Sequence, residues 1–393
     1  MPTSLLAASA RTPIGKLSGS FKSLSAMDLG GTAIAAALAR AGVEPDQVDH
    51  VVMGQVLQAG QGQNPARQAA AKAGIPMEVP AFTVNSVCLS GLHAIYLADQ
   101  MVRSGDADVV VAGGMESMSS APHLLAGSRA GYRLGDVTAV DSLVHDGLWC
   151  SFDDVHMGAG TESYADAATI SRAVQDGLAA KSHERAATAI KEGRLATEIV
   201  AVSVAQRGDP LVVDTDEGVR ADTTVESLAR LKPAFAKDGT VTAGNASQIS
   251  DGAAAVVVVS PAKAAELGLS GTVELVGFAI VAGPDPSLLT QPSRAIVRAL
   301  EKVGGTVGDV DLFEINEAFA AVAAASMADL GVTDAVVNVN GGAIALGHPI
   351  GMSGTRLVMT LAEELRRRGG GLGAAALCGG GGQGEAVLVR VTT

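Results

Sequence analysis

Aromatic residues and positive charge are both scarce in this sequence. Phe, Trp and Tyr make up 3% of the 393 residues, and 28 Lys and Arg stand against 41 Asp and Glu, a formal net charge of -13. A nucleic-acid groove needs a basic surface and, for single strands, stacking rings. The composition therefore argues against nucleic acid as a partner.

Cysteine is also rare, and long apolar runs are missing. The three cysteines show no Cys-x-x-Cys spacing and the seven histidines no ligand cluster, so neither a disulfide scaffold nor a metal site is predicted. The longest apolar stretches, such as 253–259 and 318–325, fall well short of the roughly 18 residues that span a bilayer. The first residues lack the apolar core of a secretory signal. We expect no membrane contact and a cytoplasmic location.

Apolar residues, in contrast, make up 48% of the chain, which at this length supports a large core and two to three domains. Between residues 4 and 118, β-branched runs alternate with Ala- and Leu-rich helical ones, and the same rhythm returns after residue 272. Such alternation predicts an α/β fold with a parallel-rich sheet covered by helices on both faces. The two stretches are weakly similar, since each contains a strand, a turn, a Ser-Gly pair and a helix in the same order. We interpret this similarity as a duplicated unit.

The segment between the two stretches has a different composition. Residues 119–249 are rich in charged residues, Ser, Thr and glycine turns, with one amphipathic helix near 172–193. We interpret this segment as an insertion. The predicted division is 1–118 with 250–268 as the first half, 119–249 as the insertion and 269–393 as the second half.

Cys88 lies where a predicted strand meets a helix whose apolar positions recur at helical spacing. The N-terminus of a helix favours a thiolate, which is the nucleophilic form of cysteine. A free cysteine is also often just a small buried apolar residue. The residue alone leaves both interpretations open.

His348 lies in a turn, before a proline and between two glycines, which hold it rigidly. It is either a structural hydrogen-bonding residue or the base for a thiol. Asn316 stands where a strand gives way to an Ala-rich helix. It either caps that helix or uses its amide to hold a water or polarise a carbonyl.

Cys378 ends an apolar strand and runs into the glycine-rich residues 379–384. These fit the dinucleotide fingerprint formally, but a strand follows them where that motif needs a helix. The run is therefore either a tight hairpin or a turn that offers backbone N–H groups and space to a substrate.

Four motifs occur together in a fixed order: NSVCLSG at 85–91, NEAF at 316–319, GHPIG at 347–351 and CGGG at 378–381. Their combination resembles the thiolases, and ARTPIG at 10–15, AGNAS at 243–247 and SDGAA at 250–254 extend the likeness along the chain. A chance occurrence of all four motifs is far less probable than any one structural interpretation of them.

The resemblance implies a fold of two βαβαβαββ halves in five layers, α-β-α-β-α, with a loop domain inserted in the first half. It implies a nucleophilic thiol at Cys88, a base at His348, an acid/base thiol at Cys378 and a water-holding amide at Asn316. The amides of Cys88 and Gly380 would bind the oxyanion. Acyl-CoA thioesters and CoA are the implied substrates and products, with no separate cofactor.

Features of the insertion refine this implication. VHMG at 155–158 resembles the biosynthetic branch, which forms acetoacetyl-CoA, and 122–141 resembles a tetramerisation loop, so a homotetramer is implied. The residues implied to line the CoA channel are Leu148, His156, Met157, Arg220, Ser227, Ala243, Ser247, Ala318 and Phe319.

Two positions depart from the biosynthetic pattern. Leu89 stands where many members have Gly and Leu288 where many have Met, and both would bear on acyl-chain length. A degradative 3-ketoacyl-CoA thiolase of broader range is the alternative. The decarboxylating ketosynthases of this fold would have His or Asn in place of Cys378, and a non-catalytic binder would have lost one of the three reactive residues.

Overall fold

The computed structural model describes residues 3–269 and 271–392. Its strands, in chain order, are β1 (Ser4–Arg11), β2 (Gly15–Lys16), β3 (His50–Gly54), β4 (Ala81–Val84), β5 (Val109–Ser117), β6 (His123–Leu124), β7 (Val140–Asp141), β8 (Trp149–Cys150), β9 (Val155–His156), β10 (Val202–Val204), β11 (Leu211–Val213), β12 (Ser250–Val259), β13 (Val273–Ala282), β14 (Leu312–Ile315), β15 (Gly371–Gly379) and β16 (Gln383–Val391). Its α-helices are α1 (Ala26–Ala41), α2 (Pro65–Lys72), α3 (Ser90–Ser104), α4 (Met157–Ala167), α5 (Arg172–Lys191), α6 (Val225–Ala229), α7 (Pro261–Glu266), α8 (Gln291–Val303), α9 (Ala320–Leu330), α10 (Ala343–Leu346) and α11 (Ser353–Arg367).

The main sheet has an internal symmetry. Its strand order is β14-β15-β16-β13-β1-β12-β5-β3-β4, and β1 joins β13 in the middle. Outward from that joint, both sides show two antiparallel pairings followed by a parallel one. A further parallel pairing follows on each side, with β4 in the first half and a bridge at Val337 in the second. The duplicated α/β unit predicted from the sequence is confirmed.

The helices form three layers around the two halves of the sheet. One apolar cluster packs α1 and α2 on the outer face of the first half, and another packs α8 on the outer face of the second. Between them, α3 and α11 contact each other and pack against the inner faces of both halves. This arrangement is the five-layered order α-β-α-β-α.

The prediction of a parallel-rich sheet is wrong at its centre. There β12 and β16 run antiparallel to both of their neighbours. Helices cover both faces of the sheet, so these strands are as continuously apolar as buried parallel strands, and hydrophobicity cannot distinguish them. The turn at 380–382 is too short for a crossover and fixes β15 and β16 as an antiparallel hairpin.

Residues 119–249 lie outside the main sheet. They form the two-stranded pairs β6–β7, β8–β9 and β10–β11 and the helices α4 to α6. The helix expected near 172–193 is α5, whose N-terminus is capped by the Ser171 side chain. In the part of the chain described here, no helix is both long and apolar enough to cross a bilayer.

Candidate active site

The N-terminal ends of α3 and α11 meet at one point because glycines let the two backbones approach closely. A Cβ atom at Gly91 would lie 2.8 Å from the carbonyl oxygen of Gly351, and one at Gly354 would overlap the backbone of Leu92. The positive ends of both helix dipoles are thereby directed to the same region. Negative charge that develops there is stabilised.

Gly114, on β5, fits directly under this junction, where a Cβ atom would overlap the carbonyl oxygen of Gly351. We expect Gly114→Ala to lower the free energy of unfolding by about 1–3 kcal/mol or more, because a backbone atom has to move. Thermal unfolding measures this effect. The matched control is Gly177→Ala in α5, where a Cβ atom meets nothing within 4 Å. Equal unfolding temperatures for the two variants would contradict the prediction.

Cys88 sits on a strained turn directly before α3. The preceding residue, Val87, has a φ of 51°, which is costly for a β-branched side chain. Its N–H donates to Asn85 Oδ1 at 3.0 Å. The Ser90 hydroxyl donates to the Val87 carbonyl at 2.6 Å and accepts from the N–H of Ser86 at 2.9 Å. These local bonds hold the turn in place.

The resting thiol of Cys88 is neutral. Burial raises its pKa to about 12, and the nearby carboxyl of Glu116 acts in the same direction. The helix dipole favours the thiolate, as expected from the sequence, but burial outweighs it. Cys88 therefore needs a base to become a nucleophile.

His348 is a suitable base. Its Nδ1 lies 2.6 Å from Ser353 Oγ, whose hydroxyl donates to the Pro349 carbonyl at 2.9 Å. The Nδ1–H must then donate to Ser353, which leaves a lone pair on Nε2. Burial, and secondarily the charge of Arg356, lower the pKa of His348 to about 4. The imidazole is therefore neutral near pH 7.

Asn316 follows β14 and touches the same imidazole. Its Nδ2 lies 3.4 Å from His348 Nε2, while its buried Oδ1 has no hydrogen-bond partner among the described residues. The capping interpretation of Asn316 is wrong, because α9 begins later and its N-cap is Phe319. The amide is thus directed at the site.

Cys378 lies at the end of β15, fully buried beside Leu288, Ala318 and Phe319. Burial and the proximity of Cys88 raise the pKa of its thiol. Gly380, in the hairpin turn that follows, borders a second cavity of about 560 Å³. A Cβ atom at Gly380 would make only an ordinary contact with Val87, at 3.5 Å.

A cavity of about 490 Å³ opens beside the thiol and the imidazole. The expected site residues that line it are Cys88, His348, Leu148, His156, Met157, Arg220, Ala243, Ser247, Ala318 and Phe319. Asn316, Cys378 and Gly380 are not part of this lining, and Asn316 instead contacts His348. Ser227 also lies off the cavity, where it forms a capping box with Thr224 at the start of α6.

The cavity also has lining residues that sequence reasoning missed. Phe235 stacks on His156 with 4.8 Å between ring centroids, and Lys16 adds a second cation besides Arg220. No motif marks Phe235, although a lone aromatic residue in an aromatic-poor chain is a weak signal.

The two departures from the biosynthetic pattern differ in position. Leu288 lines the cavity. Leu89 does not, because its side chain is buried against Gly379, where a Cβ atom would lie 2.6 Å from Leu89 Cγ. The Leu89 side chain instead turns into the core between α3 and the second half, so any influence on acyl-chain length would be indirect.

His183 holds the segment that carries Arg220. Its Nδ1 accepts the Arg220 N–H at 3.1 Å, and burial followed by the Arg220 charge lowers its pKa to about 4. The ring is thus neutral at assay pH, and folding becomes less favourable as pH falls from about 6.5 toward 4.

We expect His183→Ala to raise the KM for a CoA thioester about 3- to 10-fold, with kcat retained. His183→Asn keeps an acceptor and should restore KM; an unchanged KM in the alanine variant would contradict this role.

A half-buried thiol and a neutral imidazole that line one apolar cavity, with a second, buried thiol close to the first, are the arrangement of an enzyme that transfers acyl groups. Residues 4–262 match the family model for the thiolase N-terminal domain, and residues 269–391 match that for the C-terminal domain. The chain belongs to the thiolase family.

Similar proteins agree with this assignment. The chain is 59% identical over 387 residues to a probable acetyl-CoA acetyltransferase of Mycolicibacterium smegmatis, covering 98% of this chain and 100% of the relative. It is 52% identical over 388 residues to an acetyl-CoA acetyltransferase of Cupriavidus necator, covering 98% of each. The crystal structure of the Bacillus anthracis acetyl-CoA acetyltransferase superposes with a TM-score of 0.97 at 40% identity, covering 100% of this chain and 99% of that one.

Proposed function

We propose that the chain is an acetyl-CoA acetyltransferase, which joins two acetyl-CoA molecules into acetoacetyl-CoA and free CoA, reversibly. The observation that carries this proposal is that Cys88 and His348 line one largely apolar cavity, with the Cys378 thiol close to Cys88. The full-length relatives with that name support it.

In the first half-reaction, His348 Nε2 takes the Cys88 proton and the thiolate attacks the thioester carbonyl of acetyl-CoA. The oxyanion is bound by the amide of Cys88, just before α3, and by the amide of Gly380, in the turn between β15 and β16. The tetrahedral intermediate expels the CoA thiolate, which takes from His348 the proton that came from Cys88. An acetyl group is left on Cys88.

In the second half-reaction, His348 Nε2 takes the proton of Cys378, and the resulting thiolate removes a proton from the methyl carbon of another acetyl-CoA. The enolate oxygen is stabilised by the protonated His348 and by a water held on Asn316, whose unpaired Oδ1 suits that role. The enolate carbon attacks the acetyl group, and Cys88 leaves as a thiolate that is protonated by His348, while Cys378 keeps the methyl proton.

The CoA part of the substrate lies along the cavity and extends away from the thiols. Arg220 and Lys16 are the cations for CoA phosphates, and the apolar lining residues bind the pantetheine. Ser227, exposed on α6, is proposed for the nucleotide end. No further cofactor is required for this chemistry.

Residues 119–249 are proposed as the inserted loop domain between halves 1–118 with 250–268 and 269–393, in a homotetrameric cytoplasmic enzyme. Supporting the tetramer, the stretch 122–141 exposes four large apolar side chains: Leu125, Tyr132, Leu134 and Val137. Such a group of exposed apolar residues is typical of a contact with another protein surface.

The test is thiolysis of acetoacetyl-CoA by free CoA, followed as loss of the enolate absorbance, with 3-ketohexanoyl-CoA and 3-ketooctanoyl-CoA compared. Cleavage of the four-carbon substrate alone supports the proposal. Comparable rates on the longer chains would favour a degradative 3-ketoacyl-CoA thiolase. No cleavage of any substrate would contradict the catalytic proposal.

A further inference from the structure

Glu116 carries a buried carboxyl group beside the candidate active site. The proposed mechanism does not use this group. Strand alternation places it on the same face of β5 as Ala112 and Gly114, the face covered by α3 and α11. Its side chain is fully buried. A carboxylate in such a position is costly unless hydrogen bonds compensate for its lost hydration.

Three backbone N–H groups provide that compensation. Glu116 Oε2 accepts from Gly351 at 2.9 Å and from Val56 at 3.0 Å, and Oε1 accepts from Leu57 at 3.1 Å. Gly351 belongs to the loop that carries His348, whereas Val56 and Leu57 follow β3. One carboxylate thus ties together two segments that are distant in sequence.

The segment after β3 supports the nucleophile. Cys88 packs against the apolar cluster that contains Val56, Leu57 and Ile350. The side chain of Asn85, in the Cys88 turn, also donates to the Val56 carbonyl at 3.4 Å. A change at Glu116 would therefore alter the position of His348 relative to Cys88.

We propose that Glu116 is a positioning residue, whose carboxylate fixes the His348 loop against the segment under Cys88 so that imidazole and thiol meet at proton-transfer distance. The inference rests on the proposed function for its substrate. The proton transfer from Cys88 to His348, however, can be measured without any substrate.

The proposal has a pH dependence. Burial, opposed by the three N–H bonds and aided by Asp251 on β12, raises the pKa of Glu116 to about 7. Cys88, on the turn before α3, is a further titratable group close to Glu116. As pH falls through 7, Glu116 gains a proton and loses acceptor capacity, so turnover should fall in this range.

The experiment compares Glu116→Gln with the wild type and with Asp49→Asn. Asp49 accepts from the N–H groups of Asp108 and Val109 at the opposite end of β5, so it is a matched loss of a backbone acceptor. We expect Glu116→Gln to lower kcat about 10- to 100-fold with little change in KM, and to lose the step in activity near pH 7. Asp49→Asn should keep the wild-type kcat and the step.

A substrate-free measurement separates this inference from the proposed function. The rate of Cys88 alkylation by iodoacetamide, followed by mass spectrometry, reports thiolate formation by His348. A displaced His348 makes alkylation of Glu116→Gln slower, whereas loss of the Glu116 charge alone would make it faster. Faster or unchanged alkylation, a retained pH step, or an equal loss of kcat in Asp49→Asn would overturn the proposal. An inactive wild type with slower alkylation in Glu116→Gln would contradict only the proposed function.

Discussion

Replacing Cys88 with alanine is expected to lower the turnover of acetoacetyl-CoA by about 10⁴-fold or more, because the acyl-enzyme cannot form. The variant should release no CoA from acetyl-CoA, and its mass should not increase by an acetyl group. Since Cys88 lines the cavity and is not central to a core cluster, the fold should persist. Steady-state thiolysis and intact-protein mass spectrometry measure the two effects.

The matched control is Cys150→Ala, which removes a different thiol, buried on β8 and outside the proposed machinery. This variant should retain most of the turnover and should still acquire one acetyl group. If Cys88→Ala also acquired the acetyl group, the nucleophile would have to be a different residue, and the mechanism would be wrong.

The sequence was sufficient to predict which motifs come together at the candidate site, because each of these motifs lies at the end of a secondary-structure element. Cys88 precedes a helix, and Asn316 and Cys378 end or follow strands. His348 lies in a glycine-bounded turn. Strand ends and helix starts that share one edge of a layered fold converge in space, so motifs distant in sequence come together at one site.

Features that depend on side-chain direction could not be predicted in the same way. Leu89 follows Cys88, yet its side chain enters the core, since the turn at Val87 sets the direction in which α3 starts. Glu116 reads in the sequence as the polar end of an apolar strand. Its partners are backbone N–H groups, which every residue except proline provides, so the sequence does not indicate them. The antiparallel centre of the sheet was missed because both of its faces are equally apolar.

Replacing Cys378 with alanine is the second change with a large expected effect. We expect it to affect the two half-reactions differently. In the proposed mechanism Cys378 removes the proton that creates the enolate, so condensation and thiolysis should fall by about 10³-fold. Acetylation of Cys88 uses His348 instead and should continue. The variant should therefore release one CoA for each chain from acetyl-CoA, carry one acetyl group, and form no acetoacetyl-CoA.

This difference between the two half-reactions distinguishes a thiol that removes a proton from carbon from a thiol that is merely buried. Cys378 is fully buried, and its alanine variant loses a sulfur atom from the cluster around Leu288 and Phe319, so some loss of stability is expected in either case. A purely structural role would slow acetylation and condensation together. Retained acetylation of Cys88 with lost condensation assigns the second thiol to the carbon–carbon step, whereas an equal loss of both half-reactions would contradict that role.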